Sequence, residues 1–180
     1  MASIGFISLG CAKNQVDCER MMYRVSQAGH DVLEGVDGSD VVVINTCGFI
    51  DSAKAEAIDA ILQMAQLKNE GHIGKILVTG CLSQRYQQQI FEQMPEVDGI
   101  LGTGSYTEIV ASIEKLLADE PVVRFDSFDT PEEETGRILT TPEHYAFIKI
   151  AEGCDNRCAC LLYTSPSPRD VEESRMPSSA

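Results

Sequence analysis

A chain of 180 residues with 43% hydrophobic and 23% charged side chains has apolar material for one ordinary domain and the beginning of another. Its formal net charge of −14 disfavours a broad nucleic-acid footprint on this segment, because phosphate binding draws on clustered Lys and Arg. Seven cysteines, an odd number, behind an opening "MASIGFISLG" with no basic leader argue against a disulfide framework and for metal ligation, redox chemistry or buried thiols. No apolar run approaches the roughly 20 residues of a membrane span, so the expected location is the cytoplasm, with no membrane partner.

In chain order, "IGFISLG" reads as a strand and residues 15–28 as a helix stopped by Gly29; "DVLE", Asp31 to Glu34, reads as a short strand. "DVVVINT" is the next strand. The helix after it, 51–68, is expected to bury Ala55, Ile58, Ile61, Leu62 and Ala65 and to be capped by Asp51 or Ser52. "KILVTG" with helix 82–93, and "DGILGTG" with helix 105–118, complete the alternation. Short Val/Ile/Leu runs alternating with helix-period segments predict an α/β domain over 1–118: a five-stranded parallel sheet with flanking helices on both faces. Residues 119–143 carry eight acidic and two basic side chains with Pro121, Pro131 and Pro142. They read as an acidic linker, with "PVVRF" a candidate strand inside it. "YAFIKIAEG" then predicts the first strand of a second unit, 144–160, and 161–180 has neither helix nor strand period and reads as disordered.

Three cysteines fall at equivalent places. Cys11 follows "IGFISLG", Cys47 follows "DVVVINT" and Cys81 follows "KILVTG". In an open parallel sheet the carboxyl ends of neighbouring strands share one edge, and ligands bind in the crevice there. Thiols 36 and 34 residues apart in sequence are therefore expected to converge, each on a loop that opens a helix, where dipole and free amides favour thiolate. Structural zinc takes four ligands, whereas a 4Fe-4S cluster on three cysteines keeps one iron open; three soft ligands favour the cluster. Each cysteine taken singly is as well explained by burial under a loop, and for Cys18, inside the first helix, burial is the expectation. "EGCDNRC" sets Cys154 and Cys158 four apart on a loop behind a strand, with Gly153 allowing close backbone approach.

The segments "SLGCAKNQVDCE", "VVVINTCGFIDSAKAEAI", "VTGCLSQRY" and "HYAFIKIAEGCDNRC", in that order over residues 3–159, together resemble the radical S-adenosylmethionine methylthiotransferases. The closer likeness is to the branch that modifies an aspartate of small-subunit ribosomal protein twelve; the tRNA methylthiotransferase branch is the alternative, and a non-catalytic iron–sulfur or zinc-binding module a third reading. The resemblance implies that Cys11, Cys47 and Cys81 bind an auxiliary 4Fe-4S cluster whose open iron takes part in sulfur delivery. It implies that Cys154 and Cys158 are the first ligands of a second 4Fe-4S cluster. In the family that cluster cleaves S-adenosylmethionine to a radical, which abstracts hydrogen from the aspartate β-carbon. The implied partners are the ribosomal protein or ribosome and a reductant such as flavodoxin. The family spacing Cys-x3-Cys-x2-Cys puts its third ligand at 161, where this chain has leucine; Cys160 stands one residue early. The following "LLYTSPSPRD" reads as foreign to the family, so the expectation is a truncated radical domain, one complete cluster site and no turnover by this segment alone.

Three weaker signals complete the reading. "LGTGS", 101–105, lacks the full spacing of a phosphate loop and reads as a strand-to-helix turn, and His30, His72 and His144 have no metal-ligand spacing. Asn45 and Thr46, just ahead of Cys47, either donate to cluster sulfurs or cap the next helix.

Overall fold

A computed structural model describes residues 1–126 and 135–150. The chain divides into two units, Met1–Phe147 and Ile148–Ala180, and everything below concerns the first. Its elements are β1 (Ser3–Ser8), α1 (Ala12–Gln27), β2 (Asp31–Leu33), β3 (Val41–Thr46), α2 (Asp51–Asn69), β4 (Lys75–Gly80), α3 (Cys81–Tyr86), α4 (Gln88–Gln93), β5 (Gly99–Leu101), a 3-10 turn (Thr103–Glu108), α5 (Ile109–Leu117) and β6 (Val122–Arg124).

All strand pairs are parallel, in the order β2-β1-β3-β4-β5-β6. β3 lies at the centre because "VVVINT" is buried at every position, and β-branched side chains suit a pleated surface covered on both sides. Alternation along it sorts two cores. Val41 and Val43 join Ile4, Met21, Val25, Ile109, Ile113 and Leu116 on the face of α1 and α5. Val42 and Ile44 join Ala57, Ile61, Ile76, Val78 and Ile90 on the face of α2, α3 and α4.

The winding reverses between β1 and β3: one leads outward through α1 on the first face, the other through α2 on the second. Such a reversal opens a crevice at the carboxyl ends of the two strands. Register makes the edge even there, with Ser8 beside Asn45 and Thr46 beside Gly80.

The class is the one read from the sequence, with six strands in place of five. The sixth, Val122–Arg124, comes from the segment read as linker, where "PVVRF" was the candidate. It pairs with β5 through Gly99↔Val122 and Leu101↔Arg124. α5 packs on the α1 face although β6 continues in the direction of β3, β4 and β5, so this crossover has the opposite hand to β3-α2-β4.

Several local expectations change. α1 starts at Ala12, and the helix expected over 82–93 breaks at Gln87, whose φ of +39 ends α3 before α4 begins. α2 turns a different face inward: Ala53, Ala57, Ile61, Met64 and Ala65 are buried, whereas Ala55, Ile58 and Leu62 are exposed. The sequence is apolar around much of this helix, and the stripe with three alanines wins because small side chains bring the helix axis close to the sheet. Neither Asp51 nor Ser52 caps it; Ile50 holds the cap position, and Asp51 pairs with Lys54 instead at 2.9 Å. Residues 145–147, the part of "YAFIKIAEG" that lies in this unit, form no strand.

Candidate functional site

The carboxyl ends of β1, β3 and β4 each run into a cysteine within three residues. Cys11 is the N-cap of α1, with extended backbone (φ −97, ψ 171). Cys47 follows Thr46 directly, and Cys81 is the first residue of α3. Cys11 is exposed; Cys47 and Cys81 are half-buried.

Glycines beside the thiols let the three loops close on each other. Gly10 has φ +100, and a Cβ there would stand 2.7 Å from Cys47 Cβ and 3.5 Å from its Sγ. Gly80 has φ +99, and a Cβ there would strike the Thr46 carbonyl and approach Asn45 Oδ1 to 2.6 Å. Only glycine combines a left-handed backbone with so close an approach.

One side chain then ties the loops together. Asn14, 2% exposed in the first turn of α1, donates through Nδ2 to the Leu9 carbonyl at 3.2 Å and the Thr46 carbonyl at 3.1 Å. Its Oδ1 faces two thiols, Cys11 Sγ at 4.0 Å and Cys81 Sγ at 3.7 Å, so those sulfurs lie no farther apart than the two distances together. Asn45 Nδ2 in turn donates to the Asn14 carbonyl at 2.7 Å, and Thr46 Oγ1 donates to the Thr79 carbonyl at 2.6 Å. Asn45 therefore ties β3 to α1 and Thr46 ties β3 to β4, and neither side chain caps α2.

Burial pushes the Cys81 thiol up to about 11, and the neighbouring Cys47 and Cys11 push the same way while Lys13 opposes. A second negative charge beside a half-buried thiolate is disfavoured, which is the electrostatic mark of thiols sharing one place. A bound cation would reverse that sign by neutralising the thiolates together.

Among the described residues no three His, Cys, Asp or Glu side chains are grouped to hold a single metal ion. The donor chemistry at the crevice is soft sulfur from three separate loops, with one exposed thiol at its mouth. In a cluster each cysteine binds a different iron, so its ligands stand around the cluster and do not converge on one point. Three soft ligands are the number that a 4Fe-4S cluster with one open iron would take.

Cys18 lies in the core at 1% exposure, and burial first, then Glu19 and Asp17, pushes its thiol up to about 12 against a hydrogen bond from Ser8. It belongs to packing, as its place inside α1 implied. Cys154, Cys158 and Cys160 lie outside the described residues. Sequence reasoning overlooked Asn14, Gly10 and Gly80; the signal available was the glycine directly preceding a cysteine at both 10–11 and 80–81.

The fold and crevice define a doubly wound α/β domain with three cysteines on one sheet edge. The chain belongs to the family described as uncharacterized protein family UPF0004, whose model matches residues 3–102 and so takes in Cys11, Cys47 and Cys81. Among curated relatives, a protein of Syntrophomonas wolfei named ribosomal protein uS12 methylthiotransferase RimO is 43% identical over 96% of this chain and 39% of its own length. Proteins of the same name are 47% identical in Caldicellulosiruptor saccharolyticus, over 88% of this chain and 37% of that relative, and 40% identical in Clostridioides difficile, over 90% and 37%. The chain thus spans about two fifths of the length of these relatives.

Proposed function

We propose that the protein this chain represents is a methylthiotransferase acting on an aspartate of ribosomal protein uS12 by radical S-adenosylmethionine chemistry, and that this domain's part is to hold an auxiliary 4Fe-4S cluster on Cys11, Cys47 and Cys81. The observation that carries the reading is the meeting of the three strand-end loops around Asn14, with two of the thiols facing its one carbonyl oxygen. The relatives named uS12 methylthiotransferases support the substrate assignment.

When bound, such a cluster supplies an open iron at which a sulfur donor can be held. The chain's own residues do the rest. Cys47 and Cys81 are half-buried and give a sheltered side, while Cys11 stands at the mouth, where a second reactant has access. Asn14 sets the spacing of the loops before metal arrives, which lowers the ordering cost of ligation. Cys154 and Cys158 are proposed as the first two ligands of the second, S-adenosylmethionine-binding cluster.

The domain arrangement proposed with this is 1–118 as the cluster-holding domain, to which β6 adds Val122–Arg124, the rest of 119–143 as connection and 144–160 as the start of the radical domain. The proposed setting is the cytoplasm, with a flavodoxin-type reductant; among the described residues no helix is long and apolar enough to cross a membrane.

Anaerobic reconstitution of the chain with iron and sulfide tests the site. The expected result is about one four-iron cluster per chain, lost in a variant with Cys11, Cys47 and Cys81 all changed to Ala. Iron uptake equal in that variant overturns the ligand assignment. Assay of a relative of full length on uS12 beside tRNA separates the two substrates.

A further inference from the structure

Glu19 is a carboxylate at 1% exposure in the middle of α1, away from the three thiols' own ties, and a buried carboxylate persists only where partners satisfy it. Its partners come from 121 positions further along. Oε1 accepts from the Thr140 amide and from Thr140 Oγ1, both at 2.9 Å, and Oε2 stands 3.7 Å from Arg137 Nη1. Gln15, one turn earlier, donates through Nε2 to Thr140 Oγ1 at 2.9 Å and reaches Glu19 Oε1 at 3.5 Å. The Ile138 amide donates to the Glu19 carbonyl at 3.1 Å. Gly136 lies close against Tyr23, where a Cβ would stand 2.6 Å from the ring carbon Cζ.

The segment so held forms part of the site. A crevice of about 430 Å³ runs along the end of β1 and the first turn of α1, lined by Ser8, Gly10, Cys11 and Gln15 on one side and by Thr140 and Phe147 on the other. We infer that Glu19 is a positioning residue: its buried carboxylate pins residues 137–140 to α1 and thereby holds Thr140 as the wall of the crevice over Cys11. The wall fixes how wide the approach to that thiol is. A carboxylate suits this task because it only accepts, and it meets an amide, a hydroxyl and a guanidinium together.

The chemical meaning of the wall rests on Cys11 being a cluster ligand, but its existence does not, so the test uses the metal-free 180-residue chain. Amide exchange at Thr140 is read by NMR, and alkylation of Cys11 by iodoacetamide is read by peptide mass spectrometry. Glu19→Ala is expected to abolish protection of the Thr140 amide and to speed Cys11 alkylation severalfold. Glu19→Gln, which keeps an acceptor oxygen, is expected to retain both wild-type behaviours. Gly136→Val leaves Glu19 intact but drives a side chain into Tyr23, and is expected to reproduce Glu19→Ala; it decides alone if the alanine variant fails to fold. A Thr140 amide that exchanges as in a free chain in the wild type, or a folded Gly136→Val with unchanged Cys11 alkylation, overturns the inference. Iron uptake is measured separately, so the ligand reading and the wall stand or fall independently.

Discussion

Asn14 Nδ2 donates to the carbonyl of Thr46 at 3.1 Å, joining the first turn of α1 to the end of the central strand across 32 positions of sequence. Because the same carboxamide also bonds the Leu9 carbonyl, Asn14→Ala removes two donors at a buried junction. Each loss costs about 1–3 kcal/mol, so the urea midpoint is expected to fall markedly, together with iron uptake on reconstitution. Asn14→Asp is expected to be no better at neutral pH, because a carboxylate would turn acceptor oxygens toward two carbonyls. A midpoint unchanged in both variants would remove Asn14 from the architecture of the site.

Gly80 and Gly29 make a controlled pair. Both have positive φ, +99 and +85, but a Cβ at 29 meets open space while one at 80 meets the Thr46 carbonyl and Asn45 Oδ1. Gly29→Ala should show only the cost of a Cβ on a left-handed backbone, about 1–2 kcal/mol. Gly80→Ala should exceed it by a clear margin in denaturant unfolding and should also lower iron binding, since the displaced turn carries Cys81.

The face of α2 gives a third test. Leu62, 52% exposed, is expected to accept Gln with a change within about 0.5 kcal/mol. Ala57, fully buried against the sheet, is expected to lose about 1–3 kcal/mol on change to Leu, because added methylenes overfill a packed core. Thermal unfolding of the two variants reads this directly, and the opposite order would restore the helix face first read from the sequence.

Cys18 predicts an alkaline limit. Its thiol is raised from 9.0 to about 12 in the folded chain, so folding favours the protonated form. The contribution is fully present below the unfolded pKa and is lost as pH rises through the folded one. Stability should therefore decline between pH 9 and about 12, with a slope of about 1.4 kcal/mol per pH unit from this one proton. Cys18→Ala should flatten that part of the curve at the expense of a small cavity. An identical slope in the variant would assign the alkaline loss to other groups.

The sheet was legible because β3 and β4 carry unbroken apolar runs, Val41 to Ile44 and Ile76 to Val78, and because each is followed by a helix-period segment. The placement of Cys11, Cys47 and Cys81 followed from that alone. β6 was only half legible: three residues are too few for a period, and its crossover has the opposite hand to β3-α2-β4. The face of α2 was misread because its two candidate stripes differ in side-chain size more than in polarity. Asn14 and Glu19 were invisible for another reason. Their partners lie 32 and 121 positions away, and no local pattern reports such contacts.

The evenness of the sheet edge carries one more consequence. The three thiols hang on β1, β3 and β4, and their common level exists only once Ser8 pairs with Asn45 and Thr46 with Gly80. Parallel pairs of this kind close long loops and form late relative to local helices. A nascent chain thus offers isolated thiols, never a matched set, until its last central pairing is in place. On the ligand set proposed above, loading with iron would be a checkpoint on folding, and the loaded fraction of a preparation would count the molecules whose central strands have found their register.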